Sequence, residues 1–402
     1  MGAAYALAPY HDIVVYEKNN RIGGHSRTIS IPTSNGPIPV DTGFIVFNDR
    51  NYPILTKLFH HLRVPYEKSD MSFGASIAGG AVEYGSKGLF AQPRNIFRPE
   101  FWRMLADILR FNHGAERYLL RDDMTLAQCL QDFGAGEWFK KYYLLAMGAS
   151  IWSCPVETVE NFPASSFIRF FKNHGLLTIN DHPQWYTVTG GSRVYIEKLT
   201  QSFLNKIRVG YRISHIRRGE NQVEVVGENG EIEYFDKIVM ACHADESLAL
   251  LADASDAERS VLESFRFQKN HIIVHNDKSF MPKIKKCWAS WVYLSDQTAD
   301  DKPAVSLTYW MNNLQNIDSE NPVFVTLNPG RRPDAASIYD EYDFMHPIFD
   351  GAAITAQLRM HSIQGINRTY FCGAWQRYGF HEDGIHSAVQ VANHLGIYPP
   401  WA

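Results

Sequence analysis

Residues 11–28 constrain the fold more than any other stretch. His11-Asp12-Ile13-Val14-Val15-Tyr16-Glu17 is a short, β-branched, apolar run ending in an acid, and Lys18-Asn19-Asn20-Arg21-Ile22-Gly23-Gly24-His25-Ser26-Arg27-Thr28 comes directly after it. A strand that closes on an acid is how the second strand of a Rossmann-type unit ends. In such a unit the acid hydrogen-bonds a ribose hydroxyl and stands about 20 residues beyond a glycine-rich turn, whose amides hold a pyrophosphate at a helix N-terminus. Counting back from Glu17 by that distance passes the front of the chain. Gly2-Ala3-Ala4-Tyr5-Ala6-Leu7-Ala8 has the small, helix-favouring composition of the rest of that first helix. The chain therefore reads as starting inside it, with the first strand and its glycine loop absent. A start set too far downstream and a true loss both fit.

With 402 residues the chain exceeds the usual single-core size, so two intertwined domains are expected. A net charge of -4 without a basic run argues against nucleic acid as the main partner. No stretch approaches the roughly 18 consecutive apolar residues of a membrane span, and the front lacks the basic-then-apolar layout of a signal peptide. A cytoplasmic location is expected. Cys129, Cys154, Cys242, Cys287 and Cys372 lack pairing or CxxC spacing and read as free thiols in a reducing compartment. His60-His61, His271 and His275 read as surface or packing residues, and no metal site is expected.

Between the two ends, Ile54, Leu55, Leu58, Phe59 and Leu62 form a helical stripe, and residues 101–171 are mainly helical in pattern. Thr125 is a helix N-cap candidate, and Thr189-Gly190-Gly191-Ser192 is a turn opening a further helix. Strands are expected at 207–209, 213–216, 223–226 and 237–241, then at 271–274, 288–293, 305–310 and 323–327.

The second constraining block closes the chain. Tyr370-Phe371-Cys372-Gly373-Ala374-Trp375-Gln376-Arg377-Tyr378-Gly379-Phe380-His381-Glu382-Asp383-Gly384 reads as a buried strand ending in Gly-Ala, an aromatic loop, and a helix start at Asp383-Gly384. Free amides at such a start, with their partial positive charge, suit an electron-rich group such as a flavin carbonyl or a phosphate. His381 with Glu382 reads either as a structural pair at that helix start or as an acid and base.

Together the two ends resemble the flavin-containing amine oxidase, protoporphyrinogen oxidase and phytoene desaturase superfamily. Glu17, Arg21, Gly23-Gly24 and Thr28 match its diglycine extension, and Gly373-Ala374 with Asp383-Gly384 match its C-terminal flavin motif. Val40-Asp41-Thr42-Gly43-Phe44, His346-Pro347-Ile348-Phe349-Asp350 and Gly379-Phe380-His381-Glu382-Asp383-Gly384 further resemble a bacterial branch of predicted NAD/FAD-binding proteins associated with cyclopropane or methylated fatty-acid metabolism.

The resemblance implies an α/β fold. A Rossmann-type FAD-binding domain, without its first strand and glycine loop, would come from residues 1–48, 185–245 and 360–402. An interleaved α+β substrate domain would come from 49–184 and 246–359. FAD is the implied cofactor, with Glu17 on the adenosine ribose and Arg21, Gly23 and Gly24 against the pyrophosphate and ribityl chain. Asp41, Thr42 and Gly43 would line the isoalloxazine region, Ile213 would lie over the adenine, and Gly373, Asp383 and Gly384 would face the ring or ribityl hydroxyls. His381 and Glu382 are the candidate acid and base for oxidation or desaturation of a largely apolar small molecule, fatty-acyl chains included. An amine oxidase is one rival, and it would need an aromatic cage and a lysine near the flavin. A cofactor-free remnant acting as a binding or scaffold protein is the other, because loss of the glycine loop would weaken FAD binding.

Overall fold

β-Branched and aromatic runs set the strands of this chain, and apolar residues recurring every three or four positions set its helices. The computed structural model describes residues 1–121, 123–152, 156–178, 182–297 and 303–402. Its front and back combine in two short parallel pairs: Val15–Glu17 runs beside Ile207–Val209, and Ile238–Met240 runs beside Thr369–Phe371. The helices Gly2–Leu7 and His381–His394 pack on each other and share a core with Leu55, Phe59, Tyr195 and Val389. An antiparallel meander of Ile213–Arg218, Val223–Gly227 and Ile232–Phe235 lies beyond the first pair.

A seven-stranded sheet forms the other half, in the order Ile338–Ile348, Arg266–His275, Phe324–Leu327, Pro303–Trp310, Trp291–Gln297, Phe73–Ile77, Val82–Gly85. All its pairings are antiparallel except Trp291–Gln297 with Phe73–Ile77. A helical layer running from Pro99–Gly114 to Ala164–Asn173 packs an aromatic-rich core, with Phe101, Phe111, Phe139 and Phe167 buried. The structure is the mixed α/β architecture expected from the sequence. Among the described residues no helix is long and apolar enough to cross a membrane.

Local signals were reliable where capping chemistry is self-contained. Thr125 accepts from the Gln128 amide while Gln128 reaches back to the Thr125 amide, a reciprocal capping box. Two expectations need correction, and one strand was not expected. The closing helix begins at His381 and not at Asp383-Gly384, because the Asp383 carboxylate reaches back to accept from the Tyr378 and Phe380 amides and so sits inside the first turn. The strand expected from Trp288 begins at Trp291, since Lys285–Cys287 form a tight turn and the Trp288 indole donates to the Pro282 carbonyl at 2.8 Å. Ile338–Ile348 is a strand that the apolar pattern does not announce. Its Asp340, Glu341 and Asp343 are satisfied by Arg27, Arg332 and Lys269 across the structure. Cys129, Cys242, Cys287 and Cys372 are free thiols, and Cys154 lies outside the described residues.

One ion cluster ties the meander to the helix Asp256–Leu262. The Arg218 guanidinium grips both oxygens of Glu258 and donates to Asp253 at 2.8 Å, and the Arg218 and Glu258 side chains are 0 % exposed. Removing Glu258 leaves the buried guanidinium with the half-exposed Asp253 as its one carboxylate, so Glu258→Ala is expected to lower unfolding stability by about 3 kcal/mol. Denaturant unfolding measures this, and a loss below about 1 kcal/mol would mean that the pair behaves like a solvated surface bridge.

Candidate active site

The parallel pairs and the seven-stranded sheet enclose one cavity of about 2450 Å³. Ligand pockets usually span about 300–1,000 Å³, so this one has room for two ligands at once. Residues 13–17, which run into the first parallel pair, and 238–242, which run out of the second, both line it, and no described strand joins the two pairs.

At the end formed by the first pair, Glu17 sits at the strand tip, where Oε1 accepts from the Asn19 amide at 2.9 Å and from Asn19 Nδ2 at 3.0 Å. Arg21 donates to the Gly24 carbonyl at 2.8 Å, and its guanidinium carbon lies 5.3 Å from the Tyr342 ring centre. The doublet turns through Gly23 at φ 103° and Gly24 at φ 56°, left-handed backbone that glycine adopts without a steric cost. No atom lies within 4 Å of where a Cβ on Gly24 would stand, so Gly24 opens on free space, whereas a Cβ on Gly23 would come within 3.0 Å of the Ser26 carbonyl.

Glu17, Arg21, Gly23, Gly24 and Ile213 all line this cavity, as do Thr42, Gly43, Gly373, His381 and Gly384. Asp41, Glu382 and Asp383 lie behind its wall. The Asp41 carboxylate accepts from Thr28 Oγ1 at 2.6 Å, from the Ser192 amide at 2.8 Å and from Gln315 Nε2 at 3.0 Å. Burial pushes its pKa up to about 6, against the pull of those donors. The Glu382 oxygens accept from the Ile54 and Leu55 amides at 3.0 and 2.9 Å, capping the helix Pro53–Leu62, and burial raises its pKa as well. Asp383 is pushed to about 6 by burial. His381 stacks on Phe44 with ring centres 3.9 Å apart, and its Nε2 meets the Tyr195 hydroxyl, which in turn meets Ser26. Burial holds the His381 imidazole down to about 4, so it is neutral near pH 7.

Two histidines to which the sequence motifs assign no role, His25 and His346, also line the cavity. The His25 ring stacks against Phe344 at 4.6 Å and His346 at 5.2 Å, and its Nε2 is buried without a hydrogen-bond partner. Burial first, then the His346, His243 and His381 imidazoles, hold its pKa well below the ordinary histidine value. His346 is oriented by a relay of amides. The His271 amide donates to Asn328 Oδ1 at 2.9 Å, Asn328 Nδ2 donates to Asn270 Oδ1 at 2.7 Å, and Asn270 Nδ2 is left to donate to His346 Nδ1 at 2.7 Å. An acceptor Nδ1 puts the ring hydrogen on Nε2. The signal available in sequence was the alternation Tyr342, Phe344, His346, which places all three on one face of a strand.

A second arm of the cavity runs under the helical layer. Met104, Leu105, Ile108, Tyr143, Met147 and Ile151 line it, a wall of apolar and aromatic side chains.

A cavity shared between paired parallel strands and a large mixed sheet, with a strand-tip acid and a diglycine turn at one end, defines a dinucleotide-dependent enzyme of the α/β class. The model of the flavin containing amine oxidoreductase family matches residues 2–267, and the chain belongs to that family. It is accordingly an enzyme of the flavin-dependent oxidoreductase class, with flavin as cofactor. Among solved structures, it is similar to cyclohexylamine oxidase from Brevibacterium oxydans IH-35A, at 15% identity and TM-score 0.68 over 98% of this chain and 96% of that one. A putative protoporphyrinogen oxidase from Exiguobacterium sp. 255-15 aligns at 14% identity and TM-score 0.69, over 98% and 95% of the two chains. A CLA-producing fatty acid isomerase from P. acnes aligns at 14% identity and TM-score 0.65, over 98% and 97%. No curated relative matches the sequence.

The relay makes a definite statement about His346. Burial holds its pKa down to about 4, so nitrogen NMR of the labelled imidazole is expected to show a bare Nδ1 and a protonated Nε2 that do not titrate near about pH 6.5, where a free histidine does. Asn270→Asp, which replaces the donor with an acceptor, is expected to move the hydrogen to Nδ1. A wild-type ring that titrates near the free value, or that carries its hydrogen on Nδ1, would contradict the relay.

Proposed function

We propose that this protein is an FAD-dependent oxidoreductase that oxidises or desaturates a largely apolar substrate, fatty-acyl chains foremost, by hydride transfer to the flavin. The apolar arm beside the glycine-lined end of the same cavity carries this reading. Bound FAD supplies the two-electron acceptor. On this reading Glu17 holds the adenosine ribose, Arg21 with Gly23 and Gly24 faces the pyrophosphate and ribityl chain, and Ile213 covers the adenine. The open space at Gly24 and the room in the cavity support that fit. Thr42, Gly43, Gly373 and Gly384 border the flavin ring, while Asp41 and Asp383 hold the backbone of that border in place. Residues 1–48, 185–245 and 360–402 make the cofactor-holding part, and 49–184 with 246–359 make the substrate part. The substrate meets the ring where the two parts face each other.

His381 is the group placed to hold or pass a proton at its Nε2, with Tyr195 and Ser26 as partners. Glu382 acts as a positioning residue, since both its oxygens are engaged by backbone amides. The apolar arm orients the substrate chain and excludes water from the reacting bond. Mixing the flavin-loaded enzyme anaerobically with a panel of fatty acids, acyl esters and alkylamines tests the substrate class. Bleaching of the flavin absorbance by acyl compounds and not by amines is expected. Bleaching by amines alone would favour an amine oxidase and overturn the reading.

Glu17 gives a second handle. Loss of a charge-assisted hydrogen bond to the ribose costs roughly 1.5–3 kcal/mol, so Glu17→Ala is expected to weaken FAD binding by about one to two decades. Flavin fluorescence titration measures the change, and an unaltered dissociation constant would place Glu17 away from the ribose.

A further inference from the structure

The helix Pro99–Gly114 buries Phe101, Met104 and Phe111 in the helical core, yet two large apolar side chains stand among the charged residues of its exposed face. Trp102 and Leu109, seven positions apart and so on one side, are both about half exposed. The turn before the helix adds Phe90, Ile96 and Phe97. These five apolar side chains are between 39% and 84% exposed, Phe97 the most. Four of them cluster, with Leu109 two turns further along the same helix face: Phe90 and Trp102 have ring centres 5.3 Å apart, the Trp102 indole donates to the Ile96 carbonyl at 2.9 Å, and Phe97 follows Ile96 in the chain. Soluble surfaces scatter such residues singly, and a contiguous aromatic and aliphatic patch marks an interaction site.

Two further observations say what the patch meets. Arg94, Arg98 and Arg103 flank it, against the exposed acid Glu100 and a buried Asp107 that is paired with Arg110, in a chain whose net charge is -4. Arg94 and Arg98 donate to the carbonyls of Gly80 and Ala81, uncharged acceptors that leave their positive charge in place. Leu89, Leu105 and Ile108, interspersed with the patch residues along the chain, line the apolar arm of the cavity. Aromatic and aliphatic side chains flanked by arginine, on the helix that also walls the apolar arm of the cavity, match an anionic lipid surface: the apolar tips enter the headgroup boundary and the guanidinium groups meet phosphate.

We propose that this face docks the enzyme on an anionic lipid bilayer, as a peripheral attachment with the cavity arm opening toward the acyl region. The docking itself does not depend on which substrate the enzyme oxidises. Cosedimentation of the flavin-loaded enzyme with phosphatidylcholine vesicles, with and without phosphatidylglycerol, tests it directly. Binding is expected only to the vesicles containing phosphatidylglycerol, and weakening as salt rises. Phe97→Asp, at a position that touches neither the core nor the cavity, is expected to weaken vesicle binding at least about tenfold with the flavin spectrum and melting temperature unchanged. Arg94→Glu is expected to act in the same direction. No binding to either vesicle, or binding that Phe97→Asp leaves intact, would overturn the proposal. Absence of vesicle binding together with a dimer that Phe97→Asp dissociates would assign the patch to a second copy of this chain instead.

Discussion

The Asp41 carboxylate is the tie on which the rest of the site depends. Its two oxygens collect Thr28, the Ser192 amide and hydroxyl, and Gln315, from three stretches far apart in the chain. Its own amide donates back to Gln315 Oε1 at 2.8 Å. Each bond alone contributes about 1 kcal/mol, but a buried carboxylate that lost them would be left desolvated without compensation. Geometry makes the tie exacting. Gly191 sits at φ 87°, and a Cβ there would stand 2.5 Å from Thr28 Cγ2, so no larger residue lets the turn before Ser192 come this close. The three residues after Asp41 are the wall itself: Thr42, Gly43 and Phe44 line the cavity, and His381 lies flat on Phe44.

Around that wall three imidazoles are kept neutral. His25, His346 and His381 are all held below the ordinary histidine value mainly by burial. Neutral rings donate or accept hydrogen bonds without bringing charge to this part of the cavity, which suits the weakly charged substrate of the proposed reading. Asp41, Glu382 and Asp383 lie behind the wall, where they order backbone. Glu382 fixes the start of the helix Pro53–Leu62, and Asp383 closes the loop from Tyr378 to Phe380.

Much of this was legible in the chain. The strand-tip acid, the diglycine turn and the Gly373-Ala374 strand end are local signatures, and Glu17, Gly23, Gly24 and Gly373 share the cavity wall. Thr125 was legible for the same reason, since its cap is complete within four residues. The features that escaped depend on partners distant in sequence. Ile338–Ile348 looks too acidic for a strand until Arg27, Arg332 and Lys269 arrive to neutralise it. His346 gains its orientation only from Asn270 and Asn328, and nothing in its immediate neighbours foretells that relay. Asp41 and Asp383 carried the right motif, but whether a motif carboxylate faces the ligand or braces the backbone behind it is decided by tertiary packing.

On the proposed reading, one cavity houses the flavin at its glycine-lined end and an apolar chain in the arm under the helical layer. A crystal structure of the flavin-loaded enzyme with a bound fatty acid tests this most directly. The flavin ring is predicted to lie against Gly43 and Gly373, with the acyl chain running along Leu105, Ile108 and Met147. A flavin seated elsewhere, or an acyl chain bound outside that arm, would contradict it.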